Sequence, residues 1–524
     1  MATSTQSIPP AGLAQLPQVK WGPWTRAFTP SFADCFFIAL LAWLFVCGAS
    51  GWKALLMDGD TGWHIRTGQY IIANHAAPTQ DLFSFSKPGA PWFAWEWLSD
   101  LWFAVLYSIG GLKAIVLFAA ALISTYATLL VRYAIWRGSN ALLAAFVSFL
   151  AVGSSTMHFL ARPHLFTLIL VPACLWLIEA DRRKNTRWVW LLVPVTAVWT
   201  NLHGGFLVFL ACLALLVAGG TVEKFLGRRR WPEVRRYSAL FVACSAASFL
   251  NPYGIALHTH IVEYLRLDWI RNMVQEFQAP TFRSEGQLQF EALLLIGLVA
   301  TGFLLKRRLV TESLWILFLA HSSLVSVRHA PLFAAVAGPI VASELSLWWN
   351  ASSAGIKKSS ILGILHQIGK DITPSFRWTS IWPAGVILAL ALMDAPVKWP
   401  RDFPTEAFPV AMIHENADLL QSGRLLTTDQ WGDYMIYSYY PRQKVFFDGR
   451  SDFYGEQLGQ EYFHLLQGAY DWQAILRRHR FDVALLPVEW PLASLLKLDP
   501  AWKVVKDDSR AVLFIHLGHQ TAVH

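Results

Sequence analysis

The sequence predicts a polytopic α-helical membrane protein of about eleven spans, followed by a C-terminal soluble α/β domain. Three observations predict this class. Of the 524 residues, 55% are hydrophobic and 15% are charged, whereas soluble domains carry about 25% charged residues. Long uncharged apolar runs follow one another through most of the chain. From residue 397 onward charged residues become about twice as frequent, which approaches the composition of a soluble domain.

The apolar runs are the candidate spans, because a membrane-spanning helix needs about 20 mostly apolar residues. They lie near residues 32–51, 113–135, 141–158, 163–180, 187–201, 205–222, 237–250, 289–305, 311–327, 330–349 and 379–396. The first run is too long for a signal-peptide core and lacks a cleavage site, so we interpret it as an uncleaved anchor.

Basic clusters predict the orientation, since Lys and Arg accumulate in cytoplasmic loops. Four clusters lie within 182–187, 228–236, 306–308 and 357–370, and Lys20 and Arg26 precede the first run. With all of them inside, the N-terminus is cytoplasmic. A count of eleven spans then places the C-terminal domain on the outer, periplasmic face of the inner membrane. The net charge of +8 is explained as a topology signal.

The predicted division has three parts. Residues 1–31 form a cytoplasmic N-terminal segment, residues 32–396 form the membrane domain, and residues 397–524 form the soluble domain. A large first outer loop covers residues 52–111. Within it, residues 96–110 contain Glu96 and Asp100 and only a short apolar run. This pattern favours a helix lying at the membrane surface over a further span.

The C-terminal domain alternates strand and helix patterns, which is typical of an α/β layer structure. Strands are predicted at RLLTT, KVFFDGR, FDVALLP, WKVVKDD and AVLFIHL, and helices at WGDYMIYSYY, EQLGQEYFHLLQG, DWQAILRRHR and PLASLLKL. The domain contains no GxGxxG and no Walker loop, so a nucleotide site is unsupported. No basic stretch interleaved with aromatic residues indicates nucleic acid. The five cysteines lie in apolar stretches without a CxxC, which predicts neither a disulfide framework nor a zinc knuckle.

Polar residues recur at the outer mouths of the predicted spans. Because polar groups near membrane depth are costly and mark sites or pathways, their convergence predicts one outward-facing polar cavity. The five clusters are Asp58, Asp60 and His64; His158, Arg162 and His164; Asn201 and His203; Asn251 and His258; Arg328 and His329.

The acidic pair Asp58-Gly59-Asp60 opens the first outer loop. Two carboxylates separated by one glycine can approach one point, where they could hold a divalent cation, Mg²⁺ or Mn²⁺. They could instead divide the work, with one as a base and the other orienting a substrate hydroxyl. If WHIRTGQYII is helical, His64 faces back toward the aspartates.

At these residues the chain resembles the GT-C superfamily of membrane glycosyltransferases, especially its uncharacterised bacterial members that use polyprenyl-phosphate sugars. The resemblance is carried by DGDTGWHIRTGQYI, PTQDLFSFSKPGAPWFAWEWLSD, ARPHLFT, NLHGGF, NPYG, VRHAPLF and FDGRSDFY. It implies a multi-span body, a first outer loop with interfacial helices, and an inverting transfer of sugar from a lipid-phosphate donor to a glycan, lipid or protein acceptor. Asp58 and Asp60 match the acidic residues of that loop.

The predicted site follows from the needs of this chemistry. Arg66, Arg162 and Arg328 are the candidates for the donor phosphate, because Arg forks bind phosphate oxygens in pairs. His64, His203 and His329 could shuttle protons or ligate a metal. Further candidate substrate contacts are Glu96, His164, Asp448 and Arg450. The last two belong to the dense cluster at residues 447–454, placed after the predicted strand KVFF, where they would bind the acceptor.

Two other classes share these features. A transporter or flippase of lipid-linked or polar substrates would also have polar groups within the membrane, but inverted repeats would be expected and none is found. A non-catalytic scaffold could keep the same fold. Replacing Asp58 and Asp60 with Asn separates the three classes by its effect on sugar transfer.

Overall fold

The computed structural model describes residues 22–47, 51–283, 285–353, 357, 359–393 and 398–520. Lys20, most of the N-terminal segment 1–31 and the domain boundary at residues 396 and 397 lie outside the described residues, so those predictions stay predictions. The described residues form a helical body followed by a helical domain with a small sheet.

The helical body contains sixteen α-helices within the described ranges. In chain order they are α1 (Pro23–Phe28), α2 (Phe32–Ala42), α3 (Asp60–Asn74), α4 (Trp97–Arg137), α5 (Ala141–Gly153), α6 (His164–Lys184), α7 (Leu192–Leu202), α8 (Phe206–Phe225), α9 (Trp231–Ala247), α10 (Ile255–Arg266), α11 (Asp268–Met273), α12 (Glu285–Lys306), α13 (Val310–Val325), α14 (Ala330–Ser353), α15 (Ile361–Ile372) and α16 (Trp382–Leu392).

Six helical segments of the described chain are long and apolar enough to cross a membrane. They are Trp24–Phe45, Trp97–Arg137, His164–Lys184, Phe206–Phe225, Gly286–Lys306 and Val327–Ser353. The apolar helices α5, α13 and α16 are shorter. The chain is therefore a multi-pass membrane protein. The count of eleven remains a prediction, because several of the predicted spans fold as helices of fewer than eighteen residues.

The long helix α4 is interrupted where the interfacial helix was predicted to end. Gly110 and Gly111 leave the helical conformation, and Gly111 has φ 60°. Residues 97–109 therefore form a separate helical arm before the apolar segment that follows. A left-handed backbone is accessible to glycine without a Cβ clash, so the Gly-Gly pair sets the change of direction.

Between residues 398 and 520 the C-terminal domain contains seven helices and four strands. They are α17 (Val410–Glu415), α18 (Ala417–Leu420), β1 (Leu425–Leu426), α19 (Asp429–Tyr439), α20 (Ser451–Leu466), α21 (Trp472–His479), β2 (Val483–Pro487), α22 (Pro491–Leu498), β3 (Trp502–Asp507), β4 (Ala511–His516) and α23 (Leu517–Gln520). The sheet order is β1-β2-β4-β3, with β1 parallel to β2 and the other pairs antiparallel. Strand β2 is buried along its whole length, as its continuous apolar sequence requires.

One predicted strand of this domain was wrong. KVFFDGR forms no strand, and only Val445 makes isolated bridges, to Leu425 and to Ser84 of the first outer loop. The reason is its position between β1 and that loop, where each neighbour can pair with it over a single residue. The cluster at residues 447–454 therefore does not follow a strand; it leads into α20.

Helix α19 packs directly against α3 and joins the domain to the membrane body. The contact is close because glycines line it: a Cβ on Gly62 would lie 2.7 Å from Cβ of Tyr437, and one on Gly59 would lie 2.5 Å from the carbonyl oxygen of Gln430. The Gly59 amide donates to Oε1 of Gln430 at 2.7 Å. These contacts bring the C-terminal domain onto the start of α3, where the acidic pair lies.

Candidate functional site

A cavity of about 220 Å³ lies where the first outer loop, the ends of several long helices and the C-terminal domain meet. Four of the five predicted polar clusters contribute to its lining. Predicted site residues in the lining are Asp60, Glu96, Arg162, His164, His203, Arg328, His329 and Arg450. Apolar side chains such as Leu207, Val208 and Leu332 complete the wall.

The acidic pair is held by one arginine. Arg162 lies just before α6, and its Nη1 and Nη2 atoms contact Oδ2 of Asp58 at 2.8 Å and Oδ2 of Asp60 at 2.6 Å. The remaining Asp58 oxygen, Oδ1, accepts the Asp60 amide at 2.9 Å. Both carboxylates are thus committed to the same guanidinium fork. Because the two aspartates raise its pKa well above the usual value despite burial, Arg162 stays charged.

A third carboxylate reaches this pair from the C-terminal domain. Asp60 Oδ1 and Asp433 Oδ2 are buried and have no hydrogen-bond partner among the described residues. Both flank Gly449, where a Cβ would lie 2.0 Å from Asp60 Oδ1 and 2.8 Å from Asp433 Oδ2. Burial and the neighbouring carboxylates raise the pKa of Asp433 well above its usual value. No local sequence pattern identifies Asp433, which lies within an ordinary helical run.

His64 lies one helical turn after Asp60 on α3, but its ring does not bond to the aspartates. Its Nδ1 lies 2.6 Å from Oδ1 of Asp100 on α4, and its Nε2 lies 3.8 Å from Oε2 of Glu96. The prediction that His64 faces back toward the acidic pair is thus replaced by a pairing across helices. Asp100 was missed as a site residue, although a carboxylate in an otherwise apolar helix is the signal that could have identified it.

Glu96 stands between two imidazoles. Its Oε1 lies 3.6 Å from Nε2 of His203 and its Oε2 faces His64. Burial, which exceeds the effect of Arg162, raises the pKa of Glu96 to about 8. Burial and nearby charges lower the pKa of both His64 and His203 well below the usual value. Both rings are therefore neutral at pH 7.

Arg328 supplies the second cation of the cavity. Its Nη1 is buried and has no hydrogen-bond partner among the described residues, and its guanidinium lies 4.2 Å from the ring centre of Phe277. Glu276, also in the lining, was missed by sequence reasoning. Although burial opposes it, Arg328 and Arg162 lower the pKa of Glu276. Glu276 is thus ionised and partly balances the two arginines.

Other histidines of the lining are tied to the backbone. His164 Nε2 lies 2.6 Å from the carbonyl oxygen of His158, and His329 Nδ1 lies 3.2 Å from the carbonyl oxygen of Ser322. Burial lowers the pKa of His158 well below its usual value. His158 therefore adds polar surface to the cavity without adding charge.

Two predicted groups lie elsewhere. Arg66 contacts the Tyr437 carbonyl and Gln69 and is not part of the cavity lining; the helical phase of α3 turns it toward α19, so it is not placed to bind a phosphate there. Asn251 caps its own turn through the carbonyls of Ser248 and Gly254. His258 contacts the Ser248 hydroxyl.

Arg450 is buried at the junction of the first outer loop and the C-terminal domain. Its Nε and Nη2 contact Asp448 at 2.8 and 2.7 Å, and Nη2 also contacts Asp81 at 2.9 Å. The rings of Phe83, Trp92 and Phe453 surround its guanidinium. Asp448 is therefore fully used in fixing Arg450, while Arg450 reaches the cavity edge. The main role of Arg450 is to hold the junction together, and its contribution to the cavity wall is secondary.

The chain has the fold of known oligosaccharyltransferase structures. Archaeal oligosaccharyltransferase AglB from Archaeoglobus fulgidus, solved with an inhibitory peptide and a dolichol-phosphate, matches with a TM-score of 0.58 and 12% identity over 87% of this chain and 69% of that chain. The oligosaccharyltransferase of the same organism, tethered to an acceptor peptide containing the NVT sequon, matches with a TM-score of 0.53 and 11% identity over the same shares.

The sequence itself has no such counterpart. No protein-family profile matches the chain. No curated protein matches it either. The structural likeness therefore shows the fold alone, a polytopic helical body with a C-terminal domain as predicted from the sequence, and leaves the chemistry to be argued from the cavity.

Proposed function

We propose that this protein is a membrane glycosyltransferase that moves a sugar from a polyprenyl-phosphate donor to an acceptor at the outer face of the inner membrane. The observation that carries the proposal is Arg328 Nη1, which has no hydrogen-bond partner within the described part of the chain and lies in a cavity that also holds Arg162 and a set of buried carboxyls. A buried guanidinium N–H without a partner is costly. An anionic ligand would satisfy it, and a phosphate is matched to the Arg fork.

The distribution of charge supports the proposed orientation. His164 lines the cavity at the start of α6, and Arg182, Arg183 and Lys184 end the same helix. At 1.5 Å per residue the two ends are about 30 Å apart, which equals the thickness of the hydrocarbon core. The basic cluster at the far end belongs on the cytoplasmic side. The cavity and the C-terminal domain then face outward.

The proposed reaction is a substitution at the anomeric carbon. An acceptor heteroatom attacks C1 of the sugar from the face opposite the phosphate, so the configuration inverts. The C1–O bond to phosphate breaks, and its electron pair leaves with the polyprenyl phosphate. Arg328 and Arg162 stabilise the charge that develops on the leaving oxygen. The apolar walls of the cavity limit competing attack by water.

A divalent cation belongs to this proposal, at a place different from the one expected. Among the described residues no group of three or more His, Cys, Asp or Glu side chains forms a metal centre. Asp58 has both oxygens engaged. Asp60 Oδ1 and Asp433 Oδ2 converge, and no described residue is hydrogen-bonded to either oxygen. Two carboxylates suffice for Mg²⁺ or Mn²⁺ when substrate phosphate and water complete the shell. A cation there would neutralise phosphate charge.

We expect Mn²⁺ to raise the melting temperature of the full-length protein and to have no such effect on Asp433→Asn. Binding to the folded state alone stabilises it in proportion to the logarithm of ligand concentration, and the substitution removes one of the two free carboxylate oxygens. Thermal unfolding in nanodiscs with and without Mn²⁺ measures the effect. The exposed Asp418→Asn is the control, expected to respond like wild type. An equal response of Asp433→Asn, or none in wild type, contradicts the site.

The proposed function is tested with purified full-length protein in nanodiscs. Radiolabelled hexoses on decaprenyl phosphate are offered as donors, and a bacterial envelope fraction is offered as the source of acceptors. We expect label to move to the fraction and decaprenyl phosphate to protect the protein against thermal unfolding. Arg328→Gln should abolish both effects, whereas the exposed Arg442→Gln should keep them. Protection that persists in Arg328→Gln overturns the phosphate site. Protection without transfer from any donor favours a transporter.

A further inference from the structure

Two chains of polar contacts end on the two oxygens of Glu96. The reaction proposed above, which uses Arg162 and Arg328, gives Glu96 no role. We infer that Glu96 is the general base that takes the proton of the acceptor, with His64–Asp100 and His203–Thr167 as positioning residues on either side. The inference rests on the proposed glycosyl transfer and names its proton acceptor.

The contacts on the His203 side fix the direction of its hydrogen bonds. The Gly205 amide donates to Nδ1 of His203 at 3.0 Å, so Nδ1 is the acceptor nitrogen of a neutral ring and Nε2 carries the proton. Trp199 Nε1 donates to Thr167 Oγ1 at 2.9 Å. Thr167 in turn lies 2.8 Å from Nδ1 of His203. The Nε2–H of His203 therefore points at Oε1 of Glu96 as a donor.

On the His64 side the contact with Glu96 runs in the opposite direction, with the histidine as acceptor. Nδ1 is engaged by Asp100 at 2.6 Å, and Nε2 is buried without a hydrogen-bond partner among the described residues. When Nδ1–H donates to Asp100, Nε2 offers a lone pair toward Oε2 of Glu96. His64 is then an acceptor for a protonated Glu96, while His203 is a donor to either form. The 3.6 and 3.8 Å separations suit a site whose catalytic hydrogen bonds shorten when substrate fills it.

The acidic pair is poorly placed for the same task. Each of Asp58 and Asp60 already gives an oxygen to Arg162, and the second oxygen of Asp58 accepts the Asp60 amide. Among the residues that the structure describes, none forms a direct hydrogen bond to the Glu96 carboxyl, which lines the cavity. Its side chain is 14% exposed, so it reaches the cavity while remaining shielded from bulk water.

Charges from several elements surround Glu96 and set its proton affinity. Burial raises its pKa to about 8, ahead of the lowering by Arg162 and Arg328. A carboxylate with this pKa is a stronger base than an exposed one and is partly ionised near neutral pH. The titratable and charged groups that face it are Asp60 and His64 on α3, Asp100 on α4, Arg162 before α6, His203 after α7, Arg328 before α14, and Asp452 on α20.

The proposed step balances without another reactant. As the acceptor oxygen forms its bond to C1, the O–H bond breaks and the proton passes to a Glu96 oxygen. The electron pair of the C1–O bond leaves with the polyprenyl phosphate. The protonated Glu96 is then held by donation to His64 Nε2. Release of this proton to the outer solution resets the base.

The pH dependence of transfer tests the inference. The base is the ionised form, so wild-type transfer should rise with pH through about 8, following the Glu96 pKa. Glu96→Gln should lower the rate by about 10²- to 10⁴-fold, the range for loss of a general base, and remove this rise. His64→Phe removes an acceptor that favours the neutral acid, so the rise should move to lower pH. His203→Phe removes a donor that favours the carboxylate, so it should move to higher pH.

Opposite shifts cannot arise from a merely structural role of the two histidines. Shifts in one direction, or a wild-type rate and pH profile in Glu96→Gln, overturn the inference. The exposed Glu456→Gln is the matched control for transfer.

A second readout needs no substrate: pH-difference infrared spectra of wild type should show a protonated carboxyl that ionises near pH 8. Glu96→Gln should lose the component that ionises near pH 8 and keep the one from Asp60, whose pKa burial raises to about 7, whereas Glu276→Gln should keep both. Absence of transfer by wild type rejects the proposed function, whereas a component near pH 8 that survives Glu96→Gln rejects only the base.

Discussion

If the proposed reaction holds, Arg162→Met abolishes sugar transfer, with a fall of about 10³-fold or more, because it removes a guanidinium from the place where leaving-group charge would develop. It also leaves Asp58 and Asp60 side by side without their shared cation. We expect the free energy of unfolding to fall by about 3 kcal/mol, the lower end for breaking a buried ion pair, since Arg162 keeps 25% of its exposure.

A second substitution separates the catalytic from the stabilising role of Arg162. In Arg162→Met combined with Asp60→Asn, one uncompensated carboxylate is gone, so part of the lost stability should return while transfer stays absent. Arg162→Lys keeps the charge but loses the two-pronged contact and should retain the fold with reduced transfer. Transfer assays and thermal unfolding of the same preparations measure both effects. Wild-type transfer in folded Arg162→Met would refute the role.

Arg450→Met is expected to reduce the free energy of unfolding by about 3–5 kcal/mol, the cost of removing one partner from a buried ion pair. Arg450 is 2% exposed, and the substitution leaves Asp448 and Asp81 buried without a cation. Because Asp81 lies in the first outer loop, the loss should also loosen that loop from the C-terminal domain. Thermal unfolding and limited proteolysis of the full-length protein measure both changes.

The matching test uses a double substitution. Adding Asp448→Asn to Arg450→Met removes a stranded carboxylate, so the double variant should be more stable than Arg450→Met alone. Independent effects would instead add. The exposed Arg442→Met controls for loss of a surface charge and should unfold like wild type. A double variant that is less stable than Arg450→Met would show that the pair does not act as a unit.

Much of the fold could be predicted because hydrophobic length and period are local properties. The helix 491–498 has the predicted bounds, and the strand 483–487 starts two residues after the predicted start and ends where predicted. The Gly-Gly break in α4 falls where the interfacial segment was predicted to end. The prediction of a strand at KVFFDGR was wrong because the extended form of this segment depends on Leu425 and Ser84, two neighbours that are far apart in sequence. A local pattern cannot tell a strand from an extended linker between two partners.

The candidate site divides in the same way. Arg162, His203, Arg328 and Glu96 could be named because a polar residue beside a long apolar run stands out in sequence. Arg66 stood out equally, but helical phase turned it toward α19. Asp433 and Glu276 gave no signal, because a carboxylate in a polar helix or loop is unremarkable until its surroundings are known. Asp100 gave a signal that was attributed to the surface helix.

By itself the sequence determined the membrane class, the helical body, the α/β tail and the acidic pair that follows the first apolar run, since each depends on composition or on spacing along one segment. Only the tertiary structure decided which carboxyls meet: Asp60 with Asp433, His64 with Asp100, and Glu96 between two imidazoles. The physical reason is that basicity and charge compensation depend on burial and on partners within a few ångströms. Those partners come from segments separated by up to hundreds of residues, and packing alone brings them together.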